Sequence, residues 1–214
     1  MRETAMSGVD IGRRSLVAGA GLLIAGGVGA RAAPPKPKVA IKTNHGVIVV
    51  ELEAERAPLT SANFLHYVDT GRFDGGSFYR ASRTPGSPKE GTIVGGPSDR
   101  THRYPPIPHE STTMTGLRHT TGTISLGRYA PGSATADFFI CASPEPYLDA
   151  HPGAPVPKGG GDNLGYAAFG QVVSGMHVVR TILALPTPGK SRFPDMKGQW
   201  LDPVVPIFTM RRAV

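Results

Sequence analysis

Two stretches of this 214-residue chain carry residue types that could do chemistry. The first, Phe73-Asp74-Gly75-Gly76-Ser77-Phe78-Tyr79-Arg80, sets one guanidinium in an apolar-aromatic strand and runs on to Val94-Gly95-Gly96. The second spans Ser125 to Cys141 and ends in Asp137-Phe138-Phe139-Ile140-Cys141. A lone Arg facing a Phe-Phe-Ile strand implies a hydrophobic pocket with one fixed cationic donor. Arg suits that role because it stays protonated and offers several donors in a rigid fork. Other chemistries are poorly supplied. His102, His109, His119 and His151 lack the spacing of metal ligands. Ser125, Cys141 and the histidines form no recognisable nucleophile pattern. A single cysteine excludes an internal disulfide or a multi-Cys metal site.

The elements that must position these residues read as short strands and turns. Gly (28) and Pro (21) make up about a quarter of the chain, but they lie between apolar runs, as in a loop-rich all-β domain. Val39 to Thr43 and Val47 to Leu52 are predicted strands, and Asn44-His45-Gly46 makes a hairpin turn between them. Ala57-Pro58 opens a helix with Leu59, Ala62, Leu65 and Val68 as its apolar stripe, ended at Gly71. His66 and Tyr67 read as surface or core-edge residues. Pro85 to Glu90 reads as a Pro/Gly-rich excursion from the strand. Further strands are expected at Gly122–Leu126, Phe138–Ile140, Ala167–Val173 and Val204–Met210. Residues 97–120 and 142–165, the latter with Gly159-Gly160-Gly161, are long functional loops or disordered segments. Ser174 is the expected N-cap of a second helix whose stripe is Met176, Val179, Ile182 and Leu183. With no βαβ alternation, the many short strands and two helices make the fold class mainly β: a closed antiparallel β-barrel with helical plugs.

The N-terminal region has a different character. Arg13-Arg14-Ser15-Leu16-Val17 leads into an apolar stretch too short and glycine-rich to span a bilayer, and Ala30-Arg31-Ala32 fits a small-x-small cleavage site. Residues 1–32 therefore resemble a Tat-type signal peptide, which predicts a periplasmic protein. Residues 33–38 form a Pro-rich linker, and 39–214 the functional domain. Without the leader the formal charge falls from +7 to +5, and its basic residues are scattered, so no nucleic-acid footprint is expected.

Taken in order, the Asn63-Phe64 helix, Phe73 to Arg80, Gly95-Gly96, Gly122-Thr123-Ile124-Ser125-Leu126, Phe138-Phe139-Ile140, Leu148-Asp149 and Phe169 to Met176 resemble the cyclophilin family of peptidyl-prolyl cis-trans isomerases, in its bacterial exported branch. The resemblance covers roughly residues 38–212. It implies a closed eight-stranded antiparallel β-barrel capped by two α-helices, with Arg80 as the catalytic donor and Phe139 as the floor of a proline pocket. Leu126, Tyr147 and Leu148 would be its walls, Tyr166 its rim, and Gly127 and Arg128 the segment that pairs with a substrate peptide. Two positions depart from the family pattern: Val94 and Asp137 stand where glutamines are usual. Val94 cannot orient Arg80 through an amide, whereas Asp137, if it reaches Arg80, would orient or sequester the guanidinium. Gly91 and Thr92 replace an aromatic and a Met, thinning one wall. The implied partners are proline-containing peptides and unfolded exported proteins, with no cofactor, no metal, no stable membrane insertion and a monomeric state. A second reading from the same departures is a weakly active or inactive proline-peptide-binding or holdase module.

Overall fold

The computed structural model describes residues 35–99, 101, 103–155, 162–191 and 193–214. The expected leader and Gly159-Gly160-Gly161 therefore lie outside the described residues, as does His102. Eight strands, β1 (Lys38–Thr43), β2 (Gly46–Leu52), β3 (Gly76–Thr84), β4 (Ser87–Gly96), β5 (Thr123–Leu126), β6 (Phe138–Cys141), β7 (Ala167–Ser174) and β8 (Trp200–Ala213), pair in the order β1-β2-β7-β5-β6-β4-β3-β8 and close on themselves. Every pairing is antiparallel. Closure leaves no unpaired edge. Near the start of the domain, Leu52 N donates to Pro37 O at 2.8 Å and Lys36 pairs with Glu53, tying the end of the Pro-rich segment to β2.

Two helices close the barrel, α1 (Pro58–Asp69) and α3 (Met176–Ala184), with a one-turn helix α2 (Thr112–Thr115) that the periodicity did not signal. Phe64 of α1 meets Phe73, Phe138 and Phe169 at ring separations of 5.2, 5.7 and 5.1 Å, and all four are fully buried. The buried face of α1 is Ser61, Phe64, Leu65 and Val68, while Leu59 and Ala62 face outward, correcting the predicted stripe. Tyr67 is also buried, and its hydroxyl accepts the Tyr104 N–H at 2.7 Å. Ala57 provides no side-chain cap for α1. Glu110, from the long loop after β4, does so instead, accepting Leu59 N at 3.1 Å and Thr60 N at 2.7 Å. A carboxylate there satisfies orphan amides and complements the positive helix end.

Two local readings change. Ser174 is the last residue of β7, opposite Val49, and Gly175 is the cap of α3. Gly175 has φ +88°, and a Cβ would sit 2.3 Å from Val47 O, so only glycine makes this strand-to-helix corner. The stretch Pro85 to Glu90 is no free excursion but the end of a β3–β4 hairpin, with Arg83 opposite Gly91 and Thr84 opposite Ser87. Gly91, with φ +131°, lies so close to Ser82 O that a Cβ would be 2.0 Å away; no aromatic side chain fits at this position.

Candidate active site

The barrel register sets the site. Across neighbouring strands the row runs Trp200 (β8), Arg80 (β3), Val94 (β4), Phe139 (β6), Ser125 (β5) and Ala168 (β7). Arg80 thus does not face the Phe-rich strand directly; Val94 stands between them. With strands about 4.8 Å apart, Arg80 and Phe139 are separated by roughly 10 Å of backbone.

Because side chains alternate along a strand, Phe138 points into the core and Phe139 to the opposite face. Phe139 is 6 % exposed. Tyr166 stands edge-on to it at 5.3 Å and 90°. Behind it the His119 ring stacks at 5.8 Å and 17°. His119 is fixed in turn, since its Nδ1 meets Asp149 Oδ1 at 2.7 Å, its backbone N–H donates to the same oxygen at 3.0 Å, and its Nε2 meets Ser125 Oγ at 3.0 Å. Burial holds the imidazole pKa below its ordinary value despite Asp149. The neutral ring therefore donates from Nδ1 and accepts the Ser125 hydroxyl at Nε2. This Asp149–His119–Ser125 chain was not legible as a pattern in the sequence. Ser125 is 0 % exposed, so its hydroxyl is beyond the reach of a substrate and the chain acts as a buttress to Phe139.

Arg80 is half-buried, and its Nε donates to Gln199 Oε1 at 2.8 Å, with a long contact of 3.5 Å from Nη2 to Ser82 Oγ. Desolvation lowers its pKa, opposed by Tyr79, Tyr166 and Tyr147; a guanidinium remains charged at any physiological pH. Tyr147 is 67 % exposed on a short 3₁₀ turn, Pro146–Leu148. Tyr166 N donates to Leu148 O at 3.0 Å, holding Leu148 and Tyr166 side by side. Arg128 does not extend a free guanidinium: it holds Asp162 bidentately at 2.6 Å, donates to Gly165 O and lies 5.4 Å from the Tyr166 ring. It locks the rim loop, and Gly127 N is bonded to Asp137 O at 2.7 Å.

Two predicted site residues are placed elsewhere. Leu126 is in register with Phe138, 1 % exposed and packed in the core, so it is not a pocket wall. Asp137 does not reach Arg80. Its carboxylate accepts Arg103 Nη1 at 2.6 Å and Nη2 at 3.2 Å, and the Tyr79 hydroxyl at 3.2 Å. It lies beside Gly96, beyond the Arg80–Val94 row, where a Cβ on residue 96 would be 2.4 Å from Asp137 Oδ1. Sequence reasoning missed Arg103, His119 and Gln199. Among the described residues no group of three His, Cys, Asp or Glu could hold a metal ion, and no helix is long and apolar enough to cross a membrane.

Residues 38–198 match the family model described as cyclophilin type peptidyl-prolyl cis-trans isomerase/CLD. Among curated proteins, the chain is 33 % identical over 157 residues to peptidyl-prolyl cis-trans isomerase A of Dickeya dadantii, covering 73 % of this chain and 76 % of that one. It is 34 % identical over 153 residues to isomerase B of Escherichia coli, covering 70 % and 85 %. Among solved structures, a cyclophilin-type isomerase of Cryptosporidium parvum superposes with a TM-score of 0.64 at 19 % identity, covering 84 % of this chain and 98 % of that one. A structure of that protein in the presence of the dipeptide Ala-Pro gives a TM-score of 0.62 at 20 % identity, with 83 % and 99 % covered.

Proposed function

Since the chain belongs to the cyclophilin-type peptidyl-prolyl cis-trans isomerases and is an isomerase of that type, we propose that Arg80 is its catalytic donor, acting on X–Pro bonds of exported polypeptides. The observation that carries this reading is the row Arg80–Val94–Phe139, with an aromatic floor at one end and a partly desolvated guanidinium at the other.

Amide resonance sets a barrier of about 18–20 kcal/mol to rotation, and uncatalysed X–Pro exchange takes roughly tens to hundreds of seconds. As the bond twists, resonance is lost, the prolyl nitrogen pyramidalises and its lone pair becomes an acceptor. A guanidinium N–H aimed at that nitrogen bonds to the twisted state and to neither planar ground state, which is differential transition-state binding. The pyrrolidine ring sits on Phe139 beside Tyr166, so the ring is held and the acyl side rotates. Val94, short and aliphatic, stands between the two in the row. Like the Ala-Pro dipeptide present with the Cryptosporidium parvum protein, the ligands are expected to be short proline-containing segments.

A protease-coupled isomerisation assay on a proline tetrapeptide tests the assignment. Arg80→Ala is expected to lower kcat/KM by about 10²-fold or more, the usual cost of a lost preorganised donor. Equal rates for variant and parent would remove Arg80 from the mechanism. The exported context is supported by the Arg13-Arg14 pair and the Ala30-Arg31-Ala32 site. Fractionation of cells making the full chain should find a product beginning near Ala33 in the periplasm, lost when Arg13→Lys and Arg14→Lys are combined; retention in the cytoplasm refutes export.

A further inference from the structure

We propose that Gln199 is the positioning residue for the Arg80 guanidinium, supplying from the β8 side the amide that Val94 cannot supply from β4. The inference rests on the assignment of Arg80 as the donor, and it identifies what aims that donor.

Strand β3 has two neighbours. On the β4 side the residue opposite Arg80 is Val94, which has no polar atom to offer. On the β8 side the residue opposite is Trp200, and Gln199 directly precedes it. Gln199 is held at both ends of its side chain and by its backbone. Its carbonyl accepts Ala81 N at 2.8 Å, fixing it against the residue after Arg80. Its Nε2 donates to Asp195 O at 3.2 Å, and its Oε1 accepts Arg80 Nε at 2.8 Å. The amide cannot be reversed without setting an N–H against the guanidinium and a carbonyl against a carbonyl, so the network defines its orientation. Among the described residues this is the one hydrogen bond under 3 Å that the Arg80 side chain makes. With Nε engaged, the donors left for a prolyl nitrogen are those on Nη1 and Nη2.

The segment that delivers Gln199 is itself anchored. Arg83 donates to Leu183 O at 2.8 Å, to Leu185 O and to Thr187 Oγ1, gathering the carbonyls at the end of α3. Thr187 Oγ1 donates to Gly198 O at 2.7 Å, and Gly189 N to Trp200 O at 3.0 Å. The Trp200 ring stacks on Tyr79 at 5.4 Å and 20°. Residues 183–191 and 193–200 thus form a braced strap ending at the guanidinium. A neutral amide suits this position, because a carboxylate would orient Arg80 but offset the charge that the twisted bond needs.

The test is Gln199→Leu, which keeps the backbone bond and the side-chain volume. With kcat and KM determined separately on a proline tetrapeptide, kcat is expected to fall about tenfold to 150-fold, the range for one hydrogen bond to a charged group of about 1.5–3 kcal/mol, with KM within about twofold and melting temperature unchanged. Adding Val94→Gln to the Gln199→Leu protein should restore part of kcat, since an amide on the other neighbouring strand can hold the same group. Gln199→Leu with the parent kcat, alongside an inactive Arg80→Ala, overturns the inference and leaves the donor assignment standing. Parental activity in Arg80→Ala overturns the donor assignment itself. A loss in Gln199→Leu that comes with a lowered melting temperature, or that Val94→Gln does not relieve at all, marks Gln199 as merely structural and also overturns the proposal.

Discussion

Replacing Asp149 with alanine is expected to destabilise the domain strongly and to weaken catalysis at temperatures where it remains folded. Asp149 is 5 % exposed, and its Oδ1 accepts both the backbone N–H and the ring Nδ1–H of His119, whose side chain is 0 % exposed. The truncation leaves two buried donors without a partner, each costing about 1–3 kcal/mol. At about 2–4 °C per kcal/mol for a domain of this size, a loss of roughly 2–6 kcal/mol lowers the melting temperature by about 4–24 °C. Asp149→Asn, which keeps one acceptor, should fall between variant and parent. Because His119 stacks under Phe139, loosening its ring also loosens the pocket floor, so kcat/KM should drop even well below the melting transition. The pH dependence follows from the same burial. Desolvation holds the folded His119 pKa below its unfolded value of about 6.5, so the unfolded chain takes up the proton first. The stability linked to this ring is fully present above about pH 6.5 and is lost as pH falls towards the folded value. Thermal melts of the parent between about pH 7 and pH 5 should slope downward on acidification, and His119→Gln should flatten that slope. A melting temperature for Asp149→Ala within about 2 °C of the parent, less than one kcal/mol, would refute the role given to the relay.

Phe139→Ala should raise KM for proline peptides and lower stability by about 3–5 kcal/mol, the usual cost of emptying a buried Phe site; peptide titration and urea melts separate the two effects. Cys141 is fully buried, and burial together with Glu145 and Asp149 pushes its thiol pKa up, so a thiol reagent should label it only after denaturation. Arg128 holds the Asp162 carboxyl down at about 2. The stability linked to this pair is present above about pH 4 and is lost as pH falls towards the folded value, while Asp162→Asn should weaken peptide binding by freeing the rim at Tyr166. Acid titration of parent and variant, followed by near-ultraviolet circular dichroism, checks the first part.

The barrel was legible because its signals are local. Gly46 marks a turn and Gly71 a helix end, the short apolar runs have β-branched enrichment, and Arg80 and Phe139 stand out as residue types within such runs. What was hidden depends on register and on long separations. Strand alternation alone does not show that Leu126 shares the face of Phe138, whereas the pairing does. The sequence leaves open whether Asp137 reaches Arg80; Arg103, from a loop with no periodicity, takes its carboxylate instead. Pro85 to Glu90 looked like loop by composition, although Gly86 and Gly91 at positive φ let it fold as a hairpin end. His119 and Asp149 lie thirty residues apart, and Arg80 and Gln199 lie 119 apart. No spacing rule in a sequence relates groups that meet only when a barrel closes.

Closure also explains why the site tolerates its departures. Were the barrel open between β3 and β8, β3 would be an edge strand with only β4 beside it, and Val94 would leave the guanidinium without a short hydrogen bond. In the closed barrel β3 is flanked on both sides, by β4 and β8, so the functional group can be supplied from either. The same logic applies at the other end of the row. Phe139 is backed not by its own strand but by Ser125, next in the row on β5, through His119 and Asp149 from two separate loops. A substrate meeting Arg80 and Phe139 therefore touches two side chains whose aim is set from behind. Substitutions in these supports should alter turnover more than binding, whereas substitutions at Phe139 or Tyr166, the surface proposed for the proline ring, should alter binding first.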